Sequence, residues 1–198
     1  ALGTSQVGFL LATSLTGLNG AQLSGLSSGQ LQQLGTSQVG ALSSAAIAGL
    51  STTQVGLLGS SQLVALSSAA IKGLSAGQWA AVNSAYVSLL ESQDIAALSG
   101  AQLVGFSSTQ LQQLGSSQVG ALNSAALAGL STTQVSLLST TQLVALSSVN
   151  VKGLSASQLG AISTSKVVAL ESRDVAVLSS VQVAGFTVGQ LGQLTTGQ

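Results

Sequence analysis

Leu50-Ser51-Thr52-Thr53-Gln54-Val55 carries the local signals that decide the fold. Ser51 followed three residues later by Gln54 is a capping box. The serine hydroxyl accepts from the backbone N–H of the fourth residue, and the Gln side chain reaches back to the N–H of the cap. Leu50 before the cap and Val55 after the Gln occupy the two positions of a hydrophobic staple. Six residues therefore specify the start of a short helix.

The same signals return every eight residues. Read from Gly3, the unit is small-polar, Ser/Thr, variable, Gln, Val/Leu/Ile, variable, small, Leu, and residues 3–194 hold 24 whole copies without insertion or deletion. The fifth place is always large and apolar, from Val7 and Leu15 to Leu191. The eighth runs from Leu10 and Leu18 to Leu194, with Val82, Phe106, Ile162 and Phe186 as apolar substitutes. A continuous α-helix cannot carry this pattern. Two turns take about 7.2 residues, so an octad slips by roughly 80° per copy. A supercoil absorbs only about 20° per heptad. The 24 glycines make a long helix costlier still. Each octad must bend.

The expected fold is all-α: a solenoid of short capped helices, one per octad, in which each unit buries its apolar places against its neighbours. Isolated helices this short do not persist in water, so their stability must come from stacking. The alternative is a β-solenoid with two or three octads per coil. Strands such as Gln118-Val119-Gly120-Ala121-Leu122 would alternate with Ser-Ser turns, and the glutamines would stack in ladders. Small seventh-place residues and sixth-place glycines suit that alternative, whereas the dominance of Leu, Ala and Gln over β-branched and aromatic residues opposes it.

A longer repeat lies over the octad. Residues 19–98 align without gaps to 99–178, an offset of ten octads, and 179–198 begin a third copy. Lys72, Glu91 and Asp94 recur as Lys152, Glu171 and Asp174. The whole of 1–198 reads as a single continuous octad solenoid with no separate domains. Ala1-Leu2 is the tail of a unit, Thr195-Thr196-Gly197-Gln198 is the first half of another, and neither end carries a polar capping repeat. The expectation is a window of a longer chain, or a subunit whose ends join others.

Composition narrows the chemistry. The residues are 45% apolar but only 4% charged, with zero net charge and no Cys, His, Met or Pro. A positive mean hydropathy of +0.59 is not matched by any apolar run long enough to span a membrane, because Ser, Thr and Gln interrupt every few positions. No membrane span and no signal peptide are expected. There is no basic footprint for nucleic acid. The commonest zinc, copper and haem ligands and the commonest neutral-pH base are missing. The serines lack an activating base, and no phosphate loop occurs.

The remaining candidates are few. Glu91 with Asp94 could be an acid–base pair, but a charged capping box explains them with fewer assumptions, since all four acids occupy first or fourth places beside helix starts. With Glu171 and Asp174 they supply too few oxygens for Ca²⁺. Trp79 sits in a core place; Tyr86 replaces a Gln and could mark an exposed patch with Lys72 and Glu91. No catalytic, cofactor-binding or metal-ligating residue is assigned, no cofactor is expected, and the chain is read as not an enzyme.

The run Ser/Thr-x-x-Gln-Val-x-x-Leu resembles the first helix of the repeats in bacterial TAL effectors. Their long second helix, base-reading loop and basic residues have no counterpart here, so DNA binding is not carried over. In period and composition the chain resembles the long Ser/Thr/Gln/Ala/Leu-rich repeat regions of secreted bacterial surface proteins and adhesins. That resemblance implies an extracellular or cell-surface stalk, fibre or matrix protein. Low charge near a pI of 6.3 removes repulsion between copies, so the expected partner is the chain itself, with other surface or matrix components beside it. The alternative is an ice-binding or other ligand-binding face built on pairs such as Thr52-Thr53 and Thr140-Thr141.

Overall fold

The computed structural model describes residues 3–198, so Ala1 and Leu2 lie outside the described residues. The described residues form an all-helical fold and hold 24 helices of four to six residues, numbered here in chain order from α1 (Thr4–Gly8) to α24 (Val188–Leu191). No strand occurs among the described residues, which excludes the β-solenoid.

Every helix starts one residue after a first place of the octad, so the cap falls where the sequence puts it. In α7 (Thr52–Gly56) the Ser51 hydroxyl accepts from the Gln54 backbone at 3.1 Å, and the Gln54 side chain accepts from the Ser51 N–H at 2.9 Å. Where glycine is the cap, as at Gly35, Gly59 and Gly115, only the returning half of the box forms. The cap residues are extended, and no described residue has a positive φ, so the chain turns between helices without left-handed glycines.

The core follows the octad. Fifth-place side chains from Val7 to Val167 are buried, and so are eighth-place side chains from Leu34 to Leu170. Both members of the Leu50–Val55 staple are in it. Trp79 is fully buried and packs on Phe106, ring centroids 5.0 Å apart.

Coil geometry was not legible in the repeat. Each helix packs on the helix three octads further along: α3 (Gly20–Ser24) on α6 (Ser44–Ala48), and α7 on α10 (Ala76–Ala81). Side-chain hydrogen bonds between successive coils span 28 and 31 residues, as from Gln62 to the Leu34 and Leu31 carbonyls. A coil therefore takes between three and four octads.

This geometry also gives the small seventh place its reason, which is not the β one. A Cβ on Gly105 would stand 2.0 Å from the Ala76 carbonyl oxygen. One on Gly153 would stand 2.1 Å from that of Ser124, and one on Gly49 would stand 2.2 Å from the Gly20 Cα. In each pair the seventh place of one coil meets the second place of the coil before. Glycine is needed there for clearance between backbones.

Candidate functional site

The dominant polar feature is the fourth place. Glutamine is usually solvated, yet those from Gln38 to Gln190 are nearly all buried, Gln110 and Gln190 to 1% exposure. Their amides bond in two directions. The Oε1 atom accepts from the cap N–H of its own helix at 2.6–3.0 Å. The Nε2 atom donates across the coil boundary to the eighth-place carbonyl 28 residues earlier, at 2.6–3.0 Å in twelve glutamines. A second carbonyl, usually that of the preceding fifth place, shares the same NH₂. Gln142, for example, reaches Leu111 at 2.7 Å and Leu114 at 2.8 Å.

The physical logic is satisfaction of helix ends. A helix leaves its last carbonyls and first N–H groups without intrahelical partners. A short helix is nearly all ends, so a solenoid of such helices buries an unusual number of orphan groups. Where the fourth place holds a buried glutamine, that one side chain settles both kinds, its oxygen taking the N–H at its own helix start and its NH₂ taking the carbonyls at a helix end one coil away. Each such bond contributes about 0.5–1.5 kcal/mol net, and leaving the buried partner unmade costs about 1–3 kcal/mol.

Substitutes at the fourth place separate by chemistry. Asn150 donates to the Leu122 carbonyl. Lys166 donates its Nζ to Ser136 and Leu138 carbonyls at 3.0 and 2.9 Å, replacing an amide by an ammonium. Ala126 cannot donate, but the first-place Asn123 compensates by reaching the Ala96 and Leu98 carbonyls at 3.2 and 3.4 Å. Asp94 and Asp174 invert the polarity. They accept from the hydroxyls of Ser68 (2.7 Å) and Ser148 (2.9 Å) on the neighbouring coil.

The acids are therefore not charged capping boxes. Neither Glu91 nor Glu171 caps its helix with its side chain. The aspartates turn away from their own caps because a serine hydroxyl of the preceding coil faces each of them. Glu171 is instead held by Arg173 at 2.7 Å. Glu91 accepts from Gln93. The exposed patch expected around Tyr86 is not assembled: Tyr86 is partly buried against the core, while Lys72 and Glu91 are exposed. Lys72 and Lys152 do fall at helix C-caps, where the dipole favours a cation.

The surface hollows are open. One of about 330 Å³ is lined by Ser60, Ser61, Val64 and Leu89. Exposed apolar side chains include Val64, Leu89, Val104, Val144 and Val168 at sixth and seventh places, with Leu11, Val149, Val181 and Val188 at others.

These features define a helical repeat solenoid whose buried glutamine amides are engaged between its coils. The family model described as the ALTTAQ repeat matches residues 34–68, 87–124 and 120–148, together just under half of the chain. Read as residues, those six letters fall on the seventh, eighth and first four places of the octad, as in Ala97-Leu98-Ser99-Gly100-Ala101-Gln102. The matched segments are thus a repeat region in the same frame as the caps and the clamps. No curated protein matches the chain significantly.

Proposed function

We propose that this chain is a structural, non-catalytic repeat: an extended spacer that serves as a stalk, filament or surface fibre outside the cell and associates with copies of itself. One observation carries the reading. The fourth-place amides, which make up most of the buried polar side chains, are used in joining coil to coil. A core that repeats one clamp can be lengthened octad by octad without redesign, which suits a spacer better than a site of fixed shape. The near-absence of charge and the exposed valines and leucines favour lateral self-association, since little repulsion opposes contact between apolar patches. No helix among the described residues is long and apolar enough to cross a membrane. Other surface or matrix components are the natural further partners.

The test is sedimentation over a wide concentration range with negative-stain microscopy of the same samples. Rods that associate into longer or thicker assemblies as concentration rises are the expected result. A chain that stays monomeric throughout, and whose sedimentation changes only on adding a small ligand, would sink the reading in favour of a binding face.

A further inference from the structure

Four consecutive octads, residues 67–98, are clamped to the coil before them by one glutamine. Their fourth places hold Ala70, Gln78, Tyr86 and Asp94. Gln78 donates to the Ile47 and Leu50 carbonyls at 3.2 and 2.7 Å. At the other three octads the eighth-place carbonyl at the clamp offset of 28 residues belongs to Leu42, Leu58 or Leu66. Those residues are buried, and no hydrogen bond among the described residues reaches their oxygens. Elsewhere between Gln38 and Gln198 an octad without a clamp stands alone, as at Ala46 between Gln38 and Gln54, or at Asp174 between Lys166 and Gln182. The duplicate block differs at this place. Its octads 147–178 hold Asn150, Gln158 and Lys166, which donate to the Leu122, Leu130 and Leu138 carbonyls. Asn150 for Ala70 and Lys166 for Tyr86 are thus the changes that turn a nearly bare junction into a strapped one.

Packing marks the same junction. α11 (Ser84–Val87) packs forward on α14 (Ser108–Gln113), but its contact with α8 (Ser60–Ala65), on the coil before, is slight at most. The open hollow lies there, lined by Ser60, Ser61 and Val64 of α8 and by Leu89, just beyond α11. In the duplicate, α21 (Thr164–Val167) is as thinly packed on α18 (Thr140–Val144), but Lys166 of α21 ties down the Ser136 and Leu138 carbonyls. Tyr86 of α11, partly buried against the core, donates no such bond among the described residues. What holds the coil is α10, which packs closely on α7 and carries Gln78.

We propose that residues 67–98 form a hinge coil: the side that carries α11 and α12 (Ser92–Ala96) parts from the coil before it and melts locally, while α10 stays seated on α7. In a stacked array each unit is held by its neighbours alone, so the weakest interface opens first. Unclamped carbonyls at the octads of Tyr86 and Asp94, beside the hollow between α8 and Leu89, make that interface here. Helices this short do not persist unstacked, so parting exposes their amides to water. The rod gains one preferred place to bend, whatever it spans or binds.

Native-state hydrogen exchange of the whole chain tests the hinge. Protection factors in α11 and α12 should lie about tenfold or more below those of α10 and α14. Tyr86→Lys supplies a donor for the Leu58 carbonyl without adding a side-chain cap, since the octad of Lys166 has the clamp and no such cap. Asp94→Gln does the same for the Leu66 carbonyl. Each should raise protection in α11 and α12 by about tenfold and leave α14 unchanged. Gln78→Ala, which removes the one clamp of this coil, should extend the fast exchange into α10. Equal protection across α10, α11, α12 and α14 would overturn the proposal, because the array would then open as one unit. So would a folded Tyr86→Lys chain that keeps the fast exchange of α11, since a missing clamp would not be its cause. Should Tyr86→Lys fail to fold, Asp94→Gln and the wild-type profile decide in the same way.

Discussion

Gln110→Ala is the sharpest perturbation of the coil clamp. Gln110 is 1% exposed. Its Oε1 accepts from the Ser107 N–H at 2.7 Å, and its Nε2 donates to Trp79 and Val82 carbonyls at 2.8 and 2.7 Å. After truncation the Trp79 carbonyl keeps the Val82 N–H at 3.1 Å, but the Val82 carbonyl, in a residue 6% exposed, has no other donor among the described residues. One buried orphan costs about 1–3 kcal/mol. Losing the returning half of the box adds about 1 kcal/mol, so the total is about 2–4 kcal/mol. Ser107→Ala removes only the cap hydroxyl, which accepts from the Gln110 backbone at 3.2 Å, and should cost about 1 kcal/mol. Gln110→Glu keeps the shape and the cap acceptor but aims an acceptor at two carbonyls, and should exceed alanine when ionised. The assay is denaturant unfolding read by the emission of Trp79, the single tryptophan, whose own carbonyl is held by this clamp. If Gln110→Ala costs no more than Ser107→Ala, the side chain is only a cap and the clamp does not stabilise the coil.

Gly105→Ala should cost about 2–3 kcal/mol, because its Cβ would overlap the Ala76 carbonyl oxygen. Gly17→Ala, which meets open space, should be neutral or stabilise by up to about 1 kcal/mol in the same melts. Leu122→Asp puts a charge where the side chain is 2% exposed and should break the array locally, seen as unfolding that loses its single cooperative transition. Trp79→Leu leaves space beside Phe106 and should lower stability by about 2–4 kcal/mol in thermal melts. Lys166→Met removes the donor to Ser136 and Leu138 carbonyls and should destabilise by about 1–3 kcal/mol, while Lys166→Gln restores it.

Local structure was legible because its causes are local. Ser51, Gln54 and the Leu50–Val55 pair lie within one short run of chain, so the helix start and the two core places could be read directly from the repeat. The role of the Gln54 amide could be read only by half. Its oxygen serves the cap of its own helix, but its NH₂ serves Ser24 and Leu26, 30 and 28 residues back. An exact octad repeat is compatible with any coil size, so nothing in the sequence selects that offset. The same blindness misassigned other residues. Gly105 and Gly153 suggested strands because the backbones they clear, at Ala76 and Ser124, belong to the preceding coil. Glu91 and Glu171 suggested caps because an acid at a helix start is a general signal. Ser68 and Ser148, which claim the neighbouring aspartates, lie a coil earlier and outside any local window.

In most octads from Gln38 onward a fourth-place side-chain amide joins its coil to the coil before it, and the most direct measurement of that join is scalar coupling across the hydrogen bonds by NMR. The coupling runs from the Nε2–H of a clamp glutamine to its carbonyl carbon. Gln142 should correlate with Leu114, Gln118 with Leu90 and Gln158 with Leu130. Correlations only to carbonyls that lie neither 28 nor 31 residues back, or glutamine amides that exchange with water and show no carbonyl partner, would contradict the account.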